Sequence, residues 1–224
     1  MGRIAVVTGG SRGIGEAISC ALQEAGMTVV AVYAGNEQAA QAFTDRTGIV
    51  TRKWDVGDHQ ACLDGCAEIA ETVGPIDVLV NNAGITRDGT MHKMTFDDWN
   101  EVMRVNLGGC FNMAKAVYPG MRDRKWGRIV TVGSGHGRLP GRRATLGFDY
   151  VLANTLRPSA LGLSRSLADE LGRFGISVNT VAPGFIDTGE AYTAFFEQCA
   201  RDADMAFEPF MEAFLRRIPA NRFG

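Results

Sequence analysis

Short apolar runs rich in valine and isoleucine alternate along the chain with longer segments whose apolar residues return every three or four positions. The runs 3–8, 28–33, 49–54, 76–81, 127–134 and 176–181 are too short for helices and too evenly apolar for strands with one wet face. They predict strands covered on both sides. Between them the 3.6-residue period predicts helices over 12–25, 36–45 and 58–72, the first beginning on glycines and stopping before Gly26. Thr95 caps a further helix through Trp99, Val102 and Met103, with Asp98 three residues on in a capping-box-like spacing. Parallel strands need crossover helices, so this rhythm predicts a doubly wound parallel α/β sheet in a single domain spanning 1–224. Ligands of such a sheet sit at the carboxyl ends of its strands.

Two segments break the rhythm. From 137 to 158 the chain carries Arg138, Arg142, Arg143 and Arg157 against one carboxylate, Asp149, with prolines at 140 and 158. From about 185 to 217 it turns aromatic and methionine-rich (Phe195, Phe196, Phe207, Phe210, Met211, Phe214), which predicts a helical excursion serving as a lid or an interface.

Composition narrows the classes. At 224 residues with 46% hydrophobic and 21% charged, the chain can bury a sizeable core without crosslinks. A net charge of −2 gives no cationic footprint for nucleic acid. The longest apolar stretches fall far short of the roughly 20 residues that span a bilayer, and the chain enters its first strand with no signal-peptide pattern, so no membrane partner and a cytoplasmic location are expected. Cys20, Cys62, Cys66, Cys110 and Cys199 are scattered and odd in number, as free thiols would be. His59, Cys62 and Cys66 share a helix face, but three ligands on one helix do not enclose a tetrahedral metal, and no metal is expected.

The chemistry begins at Thr8-Gly9-Gly10-Ser11-Arg12-Gly13-Ile14-Gly15, which follows a strand and opens a helix. Glycines there let the backbone approach a pyrophosphate whose charge the helix N-terminus stabilises. The glycine spacing is one wider than the ordinary dinucleotide fingerprint. In that form it resembles the short-chain dehydrogenase/reductase family, and further matches follow in order. They are Asp55-Val56, Asn81-Asn82-Ala83-Gly84, Asn106 in Val-Asn-Leu-Gly, Ser134, and Pro183-Gly184 with Thr188. The stretches 84–88, 126–129, Ile218-Pro219 and Arg222-Phe223-Gly224 are most similar to bacterial 3-oxoacyl-carrier-protein and acetoacetyl-CoA reductases.

The resemblance implies a Rossmann-like fold and an NADP(H)-dependent carbonyl reductase acting on a small-molecule or carrier-bound 3-oxoacyl thioester, as a homodimer or homotetramer. Asp55 and Val56 would meet the adenine, Asn82, Ala83 and Gly84 would stand beside the cofactor, and Pro183, Gly184 and Thr188 would meet the nicotinamide end. Ser134 would hold the carbonyl oxygen, a tyrosine would give the proton, a lysine one turn later would hold the ribose, and Asn106 would kink its helix and anchor a relay water. The second strand ends Tyr33-Ala34-Gly35-Asn36 with no carboxylate for a ribose 2′-hydroxyl, and Arg12 offers a fork suited to phosphate, which favours NADP(H). Glu37, one residue on, counts against it.

The chain departs from the pattern where the tyrosine and lysine belong. Counted from Ser134 the tyrosine is Tyr150, with Asn154 four residues on. Counted back from 163–184 the two columns fall on Ala153 and Arg157, the latter beside Pro158, which is expected to disturb a helix. Neither register restores Tyr-x-x-x-Lys, so the alternative is a catalytically impaired nucleotide-binding homologue. The family also continues past Arg-Phe-Gly with another helix and strand; these are expected to be missing here.

Overall fold

A computed structural model describes residues 2–87, 91–133, 151–216, 218 and 220–224. Its sheet has strands β1 (Ile4–Thr8), β2 (Thr28–Tyr33), β3 (Val50–Lys53), β4 (Ile76–Asn81), β5 (Gly127–Val132) and β6 (Ile176–Val181). All pair in parallel, in the order β3-β2-β1-β4-β5-β6. The order reverses between β1 and β4, and there the crossover connections diverge and leave a crevice at the strands' carboxyl ends.

The helices are α1 (Gly13–Glu24), α2 (Glu37–Thr47), α3 (His59–Thr72), α4 (Phe96–Val102), α5 (Gly109–Asp123), α6 (Val151–Leu171), α7 (Glu190–Asp202) and α8 (Phe207–Leu215). Asn36, Asp58 and Thr95 cap α2, α3 and α4, each side chain accepting a hydrogen bond from the backbone N–H three residues on. Strand alternation sorts the core into two layers. Val6, Val30 and Leu79 face α3 and α5 residues such as Ile69 and Met113, while Val7, Val29, Ala31 and Val80 pack with Phe43 and Ile49 on the other side. Both faces of the central strands are covered, as their continuous apolar runs require, but β3, expected to be covered too, is a half-exposed edge strand because its residues are Val-Thr-Arg-Lys.

Two further expectations change. The predicted strand 127–134 ends at Val132, after which Gly133 N–H donates to Val181 O at 2.8 Å. Pro158 does not stop a helix, because α6 runs from Val151 to Leu171 through it. A proline forfeits one intrahelical bond, and beyond it Leu167, Ala168 and Leu171 anchor the helix in the core. The phenylalanine-rich segment buries part of its own apolar surface internally. α7 and α8 bury Phe196, Phe210 and Phe214 on one another, with Phe185 and Phe223 closing the cluster. The rings meet edge-on, Phe214 lying 4.7 Å from Phe196 and 4.6 Å from Phe185 between centroids.

Candidate active site and cofactor cleft

Thr8, the last residue of β1, joins the two central strands. Its Oγ1 accepts the backbone N–H groups of Asn82 and Ala83, both at 3.0 Å. Asn82 in turn donates through Nδ2 to the carbonyls of Thr8 (3.0 Å) and Gly9 (3.2 Å). These bonds fix the glycine loop against the end of β4. Ser19, fully buried on α1, donates to the carbonyls of Gly10 and Gly15, each at 2.9 Å, and holds the loop from behind. Its hydroxyl has to be in a position that only the folded loop defines, which is why the sequence did not reveal it.

The glycines are required by space. Gly9 and Gly13 have positive φ of 63° and 54°. A Cβ on Gly15 would fall 2.0 Å from the Gly9 carbonyl oxygen. Arg12, in extended backbone, begins α1 without a side-chain cap, so the first-turn N–H groups are left for a ligand.

A cavity of about 620 Å³ opens at this point. Its floor is the loop, with Gly9, Ser11, Arg12, Gly13, Ile14 and Gly15, and its sides are Tyr33 and Asn36 after β2, Asp55 and Val56 after β3, and Asn82, Ala83 and Gly84 after β4. Thr188 reaches it from beyond β6, its Cγ2 standing 3.7 Å from where a Gly13 Cβ would be. Fourteen of the sixteen residues expected to hold a cofactor line this one cavity; Pro183 and Gly184 do not. Trp54, Glu101, Arg104 and Val105 also line it and were not foreseen.

The residues fit a dinucleotide. With no Cβ at Gly9, Gly13 and Gly15 the backbone at the uncapped helix start is accessible, and Arg12 is exposed with no ion-pair partner among the described residues. Glu37, the carboxylate that counted against a 2′-phosphate, is in direct contact with Lys53 of β3. The Lys53 ammonium holds the Glu37 carboxyl below its ordinary range.

Asp55 Oδ1 accepts from Gly57 N–H and its Oδ2 from Arg104 Nη2, both at 2.8 Å. Burial pushes this carboxyl up, but Arg104 and the Gly57 N–H outweigh it and leave it below the usual carboxylate range. Arg104 stands two residues before Asn106 in a π-helical stretch, Met103–Gly108, that joins α4 to α5. The kink expected at Asn106 is this widened turn. The Asn106 side chain grips one residue on both sides, its Oδ1 accepting from Ile85 N–H and its Nδ2 donating to Ile85 O, both at 2.9 Å. That leaves one N–H and one lone pair for the relay water implied by the resemblance.

Ser134 and Tyr150 lie outside the described residues, as do Arg138, Arg142, Arg143 and Asp149. Asn154 and Arg157 fall on the first two turns of α6, and no lysine occurs anywhere in that helix. The three buried thiols, Cys62, Cys66 and Cys110, are unsuited to nucleophilic work. Burial pushes Cys62 and Cys110 up to about 11 and Cys66 up to about 12.

The chain is 53% identical over 188 residues to the acetoacetyl-CoA reductase of Paracoccus denitrificans, covering 84% of this chain and 75% of that one. It is 50% identical to the acetoacetyl-CoA reductase of Shinella zoogloeoides, over 100% of this chain and 86% of the relative. To a 3-oxoacyl-[acyl-carrier-protein] reductase of Vibrio harveyi it is 38% identical, over 100% and 84%. A crystal structure of an actinorhodin polyketide ketoreductase with NADPH superposes with a TM-score of 0.89 at 28% identity, covering 100% of this chain and 85% of that one. The family described as short chain dehydrogenase matches residues 3–197. With its glycine loop at the β1–β4 switch point, its Asn106 turn and this match over most of its length, the chain belongs to the short-chain dehydrogenase family.

Proposed function

We propose that the protein reduces a 3-oxoacyl thioester, acetoacetyl-CoA or a 3-oxoacyl-carrier protein, to the 3-hydroxyacyl thioester with NADPH. The carrying observation is the cleft itself, a glycine-floored cavity lined by an arginine, Arg12, with no ion-pair partner among the described residues, in a chain about half identical to acetoacetyl-CoA reductases. When bound, NADPH supplies the hydride. The chain's residues supply position and a proton. The α1 N-terminus and glycine loop hold the pyrophosphate, Arg12 meets the 2′-phosphate, Asp55 and Val56 hold the adenine, and Ala83, Gly84 and Thr188 border the nicotinamide half. Ser134 holds the carbonyl oxygen, Tyr150 protonates the developing alkoxide, and Asn154 takes the ribose-holding place of the missing lysine. Asn106 fixes Ile85, and with it the wall beside the reacting centre.

A second reading, an impaired nucleotide-binding homologue, is favoured by the lysine-free α6. Both readings share the cleft, so the acid–base groups decide between them.

Arg12→Ala is expected to weaken NADPH binding about tenfold while leaving NADH nearly unchanged, since a charge-assisted phosphate contact contributes about 1.5–3 kcal/mol. Titration of cofactor fluorescence measures both. Equal losses for the two cofactors would remove Arg12 from the 2′-phosphate site.

The reading places the enzyme in the cytoplasm as a homodimer or homotetramer. Among the described residues β6 is an edge strand with Val181 54% exposed, a surface that association would cover. Light scattering on the eluting protein should give two or four subunits; a concentration-independent monomer would exclude it. No helix among the described residues is long and apolar enough to cross a membrane.

A further inference from the structure

Arg104 is the one cation on the cavity wall that the sequence reading did not assign. It stands on the wall beside Asp55, the residue that the proposed function puts against the adenine. Among the described residues its hydrogen bonds and ion pairs are all to carboxylates. Nε and Nη2 grip Glu101 side-on at 2.7 and 2.8 Å, and Nη2 also reaches Asp55 Oδ2 at 2.8 Å. The planar fork therefore cannot turn without breaking an ion pair on one side or the other. Beneath it Gly57 has no side chain, and a Cβ there would fall 1.9 Å from Nη1, so the guanidinium is seated on the backbone of the turn that follows Asp55. That turn is closed by the Gly57 N–H bond to Asp55 Oδ1. Each Asp55 oxygen thus has a fixed donor, one from its own turn and one from Arg104.

We infer that Arg104 is a positioning residue for base recognition: it orients the Asp55 carboxylate toward the exocyclic amine of a bound adenine. The inference rests on the proposal that this cavity holds the adenine end of a dinucleotide. A carboxylate with one lone pair of each oxygen already committed presents the remaining ones in fixed directions. An exocyclic N–H can then donate to it, whereas a carbonyl oxygen at the same ring position is repelled. Discrimination between an amino and an oxo purine is therefore the property Arg104 controls. Glu101 holds Arg104 in turn.

Binding of 5′-AMP and 5′-IMP, measured by calorimetry on the intact protein, tests this directly. The two probes differ at the purine 6-position, amine against carbonyl. Wild type should favour 5′-AMP about tenfold, the scale of one charge-assisted hydrogen bond. Arg104→Met keeps the stem and removes the fork, and should bring the ratio close to one; Arg104→Lys keeps a donor for Asp55 and should retain most of it. Glu101→Gln, which loosens the grip on Arg104, should fall between them, and it serves if Arg104→Met fails to fold in a thermal melt. An AMP preference that survives in both Arg104→Met and Glu101→Gln overturns the inference while leaving the adenine site intact. A wild type without any preference, or an Asp55→Asn that keeps it, overturns the adenine site itself.

Discussion

Gly15→Ala is expected to abolish cofactor binding. The added methyl would sit 2.0 Å from the Gly9 carbonyl oxygen, 2.8 Å from the Gly9 carbonyl carbon and 2.5 Å from Asn82 Nδ2. Two of these atoms are backbone, and the third is the amide that ties the loop to β4, so nothing flexible can yield. The loop must move away from the start of α1, and the pyrophosphate site moves with it. A loss of NADPH affinity of at least about 100-fold is expected, with a stability cost of about 2–4 kcal/mol, the range of overpacking against a rigid neighbour. Gly162→Ala is the control. It lies exposed in α6, where a Cβ meets nothing within 4 Å, and alanine there should leave binding unchanged and stabilise the helix slightly. Cofactor titration and thermal melts of the two variants give the comparison.

Asn154→Lys is expected to raise the rate of thioester reduction by about 10² to 10³, and Tyr150→Phe to remove it. Without an ammonium nearby, the phenolate left after proton transfer loses about 2–4 kcal/mol of charge stabilisation, the scale of one preorganised electrostatic contact. Reduction still proceeds slowly near neutral pH, because a phenol with an ordinary pKa of ~10 is protonated there and can donate. The sign of the pH effect follows. A lysine lowers the phenol's pKa, so the proton donor is lost at lower pH. The wild type should hold its reductase rate further into alkali than Asn154→Lys. Steady-state rates across pH 6–10, a window chosen about the phenol's ordinary ~10, report both effects.

The parts of the fold that repeat a local rule were legible in the chain. The strands at 28–33, 76–81 and 176–181 were read with the boundaries the structure has, because valine-rich runs between turn residues have few other ways to be buried. The caps at Asn36, Asp58 and Thr95 mark helix starts for the same local reason. What was not legible depends on partners distant in sequence. Ser19 acquires its role only when the glycine loop folds over it, and Arg104 only when the π-helical stretch after α4 meets the turn after β3, 49 positions away in sequence. Composition showed that 195–214 is rich in phenylalanine but not that α7 and α8 would bury those rings on each other. Glu37 illustrates the limit in the cleft. Alone in the sequence it argues against a phosphate, and beside Lys53 it no longer does so.

The tyrosine register is a different case. A four-residue spacing is a local signature, and in this chain it is missing: Tyr150 is followed by Asn154 and then by Arg157, on a helix without lysine. The cleft belongs to a chain of the short-chain dehydrogenase family, and the lysine that the family's pattern sets one turn after the tyrosine has no counterpart in α6.

The most direct test is a steady-state assay of the purified protein with acetoacetyl-CoA and NADPH, following the loss of NADPH absorbance. NADPH oxidation that requires acetoacetyl-CoA, saturates with it and disappears in Tyr150→Phe is the predicted result. A protein that binds NADPH yet leaves acetoacetyl-CoA unreduced, both as wild type and as Asn154→Lys, would contradict the assignment as a thioester reductase.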